Sequence, residues 1–267
     1  MATSRELSIS TSFNYELPIE HQLPLIAAAG FTHVSFGGNA AHAGYLTPTG
    51  RERLGSLLQK HGLRLDTIHG PRADQAESRD ALAAVIEAAA ALGAPVVVAH
   101  PGPFDFPAEE LPARFDAVLR TCGGLTPTLR RAGVVLALEN VLPGPATDLV
   151  RLALPRLDPR WFGFCYDSAH DQIGGPRPFD LLAELGERVR AVHLSDRVRD
   201  FVDHVPPGDG FIEWPALCAA LSASSFAGPL LFEVMMTHSA EHDSVRFLRL
   251  AYERGCLVYD QIMTRRS

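Results

Sequence analysis

The sequence predicts an α/β protein folded as a (β/α)8 TIM barrel, in one domain that takes in residues 1–267. Three observations predict it. Eight short apolar runs alternate with longer amphipathic stretches. One run follows the next at roughly 30 to 40 residues, the length that a strand, a crossover helix and two loops require. The first run leads into TSFNYELP, which lacks the glycine-rich phosphate turn that a doubly wound open sheet would place there.

In chain order the runs are ELSIS, FTHVSFGG, LRLDTIHG, APVVVAHPG, VVLALENV, WFGFCYD, VRAVHLSD and PLLFEVMM. Each is rich in β-branched or aromatic residues and ends in glycine, proline or polar residues, as a buried parallel strand does. The segments between them read as helices. SRDALAAVIEAAAALG has an alanine-rich apolar face and a terminal glycine suited to a left-handed helix end, and RERLGSLLQKHG is a polar surface helix. No linker, low-complexity tract or repeat beyond the strand–helix unit interrupts the pattern.

Composition narrows the chemistry. The 24 Lys+Arg against 31 Asp+Glu leave a net charge of −7, which argues against nucleic acid or an anionic membrane as partner. A mean hydropathy of +0.04 with 46% hydrophobic residues is that of a chain with a large core. The start MATSRELSIS has no leader pattern, and no apolar run approaches the ~20 residues of a membrane span, so a cytoplasmic protein is expected. Cys122, Cys165, Cys218 and Cys256 are far apart without a C-x-x-C pair, which suits reduced thiols. Lys60 is the only lysine and lies in the polar helix, which excludes a Schiff-base lysine at a strand end.

Six successive strand ends carry ligand-type residues: His69, His100, Glu139, Asp167 with His170, His193 and Glu233, and the long loop after the seventh adds His204. A lone histidine at such a place is ordinarily a hydrogen-bonded loop or core residue, and a lone buried glutamate is ordinarily paired with arginine. His21, His33, His42, His61, His238 and His242 are read that way. Five histidines converging with three carboxylates are different, because desolvating several charges together is costly unless a cation neutralises them. Imidazole and carboxylate donors without thiolate suit Mn2+ or Zn2+, with Co2+ or Fe2+ also compatible.

The segments HGPRADQAESRDALAAVIEAAAALGAPVVVAHPG, DSAH, and HLSD followed by DHVPPGDGFIEW resemble the xylose isomerase-like TIM-barrel superfamily. That superfamily holds sugar phosphate isomerases and epimerases and the endonuclease IV type of DNA repair enzyme. The resemblance runs from FTHVSFGG to PLLFEVMM. It implies a divalent metal held by Glu139, Asp167, His193 and Glu233. It matches His69 and His100 to positions that, in endonuclease IV, hold a second metal with the shared glutamate, and His170 with His204 to that enzyme's remaining site. One departure stands out. The aspartate two residues before the loop histidine is here Val202, and Asp203 would point to the other side of an extended segment. His170 and His204 then supply only two neutral ligands, so one tightly bound ion and at most one more, through His69 and His100, are expected.

The resemblance implies first an isomerase or epimerase of a small sugar, keto-sugar or related polyol, phosphorylated or not. Glu139 and Glu233 would act as base and acid on the carbon beside a carbonyl through a metal-stabilised cis-enediolate, while His170, Arg199, His69 and His100 bind substrate oxygens. Dehydratase chemistry can run on the same groups. The alternative is an endonuclease IV-like phosphodiesterase acting at abasic sites, favoured by His69 and His100 and opposed by the net charge, the single lysine and Val202. A non-catalytic barrel is opposed by a ligand-type residue at every expected position. The expected partner is a sugar-like small molecule, and a homo-oligomer stays open. Phe13, Phe36, Tyr45, Phe104 and Trp214 are candidates for the pocket wall, with a core role favoured for Phe36.

Overall fold

A computed structural model describes residues 5–266. All eight predicted runs form strands: β1 (Leu7–Ser10), β2 (His33–Phe36), β3 (Arg64–His69), β4 (Val96–Ala99), β5 (Val135–Glu139), β6 (Phe162–Asp167) and β7 (Val189–His193), then, after a hairpin of β8 (Asp196–Arg199) and β9 (Val202–Val205), β10 (Leu230–Phe232). The eight barrel strands pair in parallel in the order β10-β1-β2-β3-β4-β5-β6-β7. Leu194, just past β7, closes the ring. Its N–H donates to the Leu231 carbonyl at 2.9 Å, and its own carbonyl accepts from Glu233 N–H at 3.1 Å. This seam brings the ends of the seventh and eighth barrel strands, with His193 and Glu233, side by side.

Strand alternation sorts the residues into two layers. Leu7, Ile9, Val34, Phe36, Leu136 and Leu138, all fully buried, face the surrounding helices in the main core. Each such side chain contributes about 1.5–3 kcal/mol by leaving water. The barrel interior divides in two. On the β4 to β7 side Val96, Val98, Ala137, Cys165 and Ala191 pack as a separate apolar cluster. On the β1 to β3 side the inward residues Ser8, Ser10 and Asp66 are polar and buried. The helix Ser78–Leu92 ends, as its terminal glycine predicts, at Gly93, whose φ of +80° lets its N–H return to the carbonyls of Ala89 and Ala90. Among the described residues no helix is long and apolar enough to cross a membrane.

The hairpin of β8 and β9 replaces the plain loop expected after the seventh strand. Its register is irregular, pairing Asp196 with Val205, Arg197 with Asp203 and Arg199 with Val202. Phe201 and His204 both have left-handed backbones, with φ of 60° and 54°. Alternation cannot be read through such a segment. Asp196 of HLSD is its anchor, accepting from the N–H groups of Arg197 and Gly208 at 2.8 Å, from Ile212 N–H at 3.0 Å and from Trp214 Nε1 at 2.8 Å. A Cβ at Gly210 would lie 2.2 Å from the Arg197 carbonyl oxygen, so only glycine fits there. HLSD and PGDGFIEW are therefore two halves of one structural staple. Trp214 belongs to it and not to a pocket wall. Phe13 stacks on Phe247 at 6.2 Å and Phe36 on Tyr45 at 6.1 Å, all four buried in the core.

Candidate functional site

Glu139, at the end of β5, is fully buried and stands at the centre of the strand-end cluster. Its Oε2 lies 3.2 Å from His69 Nε2 and 3.5 Å from His100 Nε2, and its Oε1 lies 3.3 Å from both His170 Nδ1 and His193 Nδ1. Glu233 closes the ring from the last strand, with Oε2 2.7 Å from His193 Nδ1.

Asp167 divides its carboxylate between two tasks. Oδ1 caps the short helix Ser168–Asp171 by accepting the N–H of His170 at 2.6 Å. Oδ2 is buried without a hydrogen bond and faces His204 Nε2 at 3.9 Å. One carboxylate thus caps a helix with one oxygen and keeps the other available as a ligand. Asn140 holds this arrangement. Its side chain donates to the Asp167 carbonyl at 2.9 Å and accepts the Asp167 N–H at 2.8 Å, while its own carbonyl lies 3.0 Å from His170 Nδ1. A carbonyl only accepts, so His170 carries a proton on Nδ1, and its Nε2 is left without a partner in this contact. Ser168 ties the same turn to the end of β7, its hydroxyl accepting from Ser195 N–H at 3.0 Å and donating to the Ser195 carbonyl at 2.7 Å. Neither Asn140 nor Ser168 is expected from sequence, although both adjoin residues that are.

Donor atoms of Glu139, Asp167, His193 and Glu233 all lie within 4.8 Å of one another, as do those of His69, His100 and Glu139, and those of Asp167, His170 and His204. The last group corrects the count made from sequence. Val202 is no donor, but Asp167 adds a third donor to the two histidines. Asp203 is absent from all of the groups. It directs Oδ1 to His204 Nδ1 at 3.0 Å and Oδ2 to the buried Arg197. Arg199 does not join the cluster. It is exposed on the hairpin, and its side chain has no hydrogen bond or ion pair among the described residues. Phe104 alone of the wall candidates reaches the site, its ring 4.8 Å from His170. Cys165 lies beneath, within 4.8 Å of donor atoms of Glu139 and His193. Burial pushes its thiol up to about 12, so it packs there as a neutral apolar group.

The charges are strongly interdependent. Burial opposes ionisation of Glu139, yet His193, His100 and His170 hold its carboxyl well below the usual range. Burial likewise opposes the charge on Glu233, which His193 nevertheless brings down to about 2. The reverse holds for the bases. Against burial, the carboxylates of Glu233 and Glu139 keep His193 well above its ordinary value, and Asp167 and Glu139 raise His170 to about 9. Burial dominates at Asp167, which is raised, and at His100, which is lowered.

Buried Asp167 Oδ2 has no hydrogen bond, and Glu139 Oε1 and His193 Nδ1 have charged neighbours at 2.7 to 3.3 Å but no hydrogen bond of good geometry. Three such polar atoms from three strands, directed at one place, fit a divalent cation bound by two or three carboxylates and an imidazole. Since His193 is held protonated in the free protein, a cation must displace a proton. The Kd for Mn2+ or Zn2+ is therefore expected to fall about tenfold per unit as pH rises from about 6 to 8. Titration calorimetry in two buffers of different ionisation enthalpy measures both the affinity and the proton released, and a flat Kd over that range would contradict the assignment of His193.

A family model described as a xylose isomerase-like TIM barrel matches residues 23–251. Among curated proteins, the uncharacterized protein y4fM of Sinorhizobium fredii is 26% identical over 270 residues, covering 88% of this chain and 87% of that one. Among solved structures, a D-tagatose 3-epimerase-like protein superposes with a TM-score of 0.78 at 17% identity, over 97% of this chain and 98% of the other. The IolI protein, solved with a bound zinc atom, gives a TM-score of 0.74 at 18% identity, over 96% and 99%. These two likenesses establish the fold.

Proposed function

The chain belongs to the xylose isomerase-like TIM barrel family, and from that premise and the site geometry we propose that it is a divalent-metal-dependent isomerase or epimerase of a small sugar, keto-sugar or polyol. The observation that carries this reading is the four-donor group of Glu139, Asp167, His193 and Glu233 with its three buried atoms that lack a well-formed hydrogen bond. The epimerase-like and zinc-bound structural relatives agree with it. A divalent ion in that group would supply Lewis-acid stabilisation of the negative charge that develops on oxygens beside the reacting carbon.

The protein's own groups do the rest. Glu139 and Glu233 are held ionised, the state a base needs, and they approach the same space from separate strands. One takes the proton from the carbon next to the carbonyl. The same carboxyl then returns that proton to the neighbouring carbon, or the other carboxylate, having taken up a proton from solvent, delivers it to the opposite face while the first releases its own to solvent. The Nε2 of His170 meets a substrate oxygen, with His204, His69 and His100 around it, and Phe104 shields this side from water. Removal of the same proton together with departure of the hydroxyl on the next carbon, leaving as water once a carboxyl or imidazole has protonated it, would make the same groups a dehydratase.

One observation favours a second reading. The three donor groups overlap, sharing Glu139 and Asp167, an arrangement suited to several ions acting on a phosphodiester. Metal content and substrate decide between them. Protein purified without chelator is expected to hold one tightly bound ion per chain and to exchange solvent deuterium into a ketose in D2O. Three equivalents of zinc together with cleavage of an abasic oligonucleotide would replace the first reading with the second.

A further inference from the structure

Arg197 is the largest of the fully buried side chains, 2% exposed, and lies outside every donor group of the site. Its guanidinium divides its donors among three segments. Nε donates to the Ala169 carbonyl at 2.7 Å, Nη1 to the Arg199 carbonyl at 3.3 Å, and Nη2 to Asp203 Oδ2. Ala169 immediately precedes His170, and Asp203 immediately precedes His204. One buried cation is thus bonded one residue away from each of two histidines whose rings stand 5.5 Å apart. The second carboxylate oxygen of Asp203 lies 3.0 Å from His204 Nδ1, which leaves Nε2 on the side of Asp167. The backbone of His204 is left-handed at φ 54°, a conformation a histidine keeps only where its surroundings dictate it. Packing the base of a hairpin needs no charge, and an apolar side chain of similar volume would do so without the desolvation cost of a buried ion pair.

We propose that Arg197, acting through Asp203, is a positioning residue that locks His170 and His204 into one pair and fixes His204 with its proton on Nδ1 and Nε2 turned to the substrate. This rests on the reading of those histidines as substrate-binding groups. It also explains what replaces the missing aspartate at Val202: the neighbouring carboxylate no longer faces the centre of the site but orients the histidine from behind.

The test combines kinetics with a measurement independent of turnover. In metal-loaded full-length protein labelled with 15N-histidine, the wild type is expected to show a hydrogen-bonded, low-field Nδ1–H signal for His204. Arg197→Met and the milder Asp203→Leu should lose it, and Arg197→Lys should keep it in part. In the ketose assay the first two should raise KM about tenfold to a hundredfold, the value of a charged hydrogen bond, with a smaller change in kcat. Folding is checked by thermal unfolding, and Asp203→Leu serves if Arg197→Met does not fold. A folded Asp203→Leu or Arg197→Met protein with an unchanged His204 signal overturns the proposal, as does an unchanged KM. Loss of the signal in a protein that turns over no ketose would uphold the positioning and overturn the isomerase reading instead.

Discussion

Replacing Glu139 or Glu233 by glutamine should reduce turnover by about a thousandfold or more. General acid–base catalysis alone is worth about 10² to 10⁴, and each substitution also deletes a negative charge from the four-donor group. Glu139 has the larger effect, since its two oxygens face His69, His100, His170 and His193 at 3.2 to 3.5 Å. Glutamine keeps the shape but turns an acceptor of charge into a neutral amide among imidazoles, leaving their protons without a counter-charge. Turnover of ketose and metal content should be measured on the same preparations. Near-normal kcat in either mutant would sink the two-carboxylate mechanism, and normal metal content with no turnover would isolate proton transfer as the function lost.

A second large effect is expected in stability, from a group that does no chemistry. Asp66, on the polar side of the barrel interior, is 7% exposed, and burial raises its carboxyl from an ordinary 3.8 to about 7, with Ser8 and His193 acting the other way. The folded protein therefore keeps a proton that the unfolded chain releases between about pH 4 and pH 7. Stability contributed by the neutral carboxyl is complete below the lower value, falls as pH rises through the window and stays lost above it. Asp66→Asn removes the charged form. It should stabilise the protein by about 2 to 4 kcal/mol at pH 8 and by almost nothing at pH 4, since one pKa unit is about 1.4 kcal/mol. Thermal unfolding at both pH values checks this, and an equal gain at both would mean that Asp66 does not titrate in this range.

Much of the molecule is legible in one dimension because two simple periodicities govern it. The eight strands are bounded by residues that break strands, and most helices that return the chain, the six-residue Asp180–Leu185 excepted, are long enough to carry their own pattern. Ligand-type residues then interrupt the apolar runs at the same relative place, and strand ends of a parallel barrel share one rim. The convergence of His69, His100, Glu139, Asp167, His170, His193 and Glu233 follows from that rule, without knowledge of any contact.

The residues that hold those groups in place obey no such rule. Asn140 clamps Asp167 across strands 27 residues apart, and Asp196 gathers donors from as far as Trp214. At the hairpin, irregular register and left-handed Phe201 and His204 break the alternation, and Arg199, expected to bind substrate, lies exposed while the fold buries Arg197. Val202 suggests a lost ligand, yet Asp167 supplies a third donor to His170 and His204 through an oxygen its cap leaves free. The sequence by itself determined the barrel, the rim on which the ligand-type residues gather and the kinds of donor on it, because these depend on local propensity and period. Tertiary structure alone decided which oxygen of Asp167 faces inward, which arginine is buried and how the histidines are turned. Those depend on hydrogen bonds between residues distant in the chain, where an ångström of displacement or one left-handed residue changes the partner.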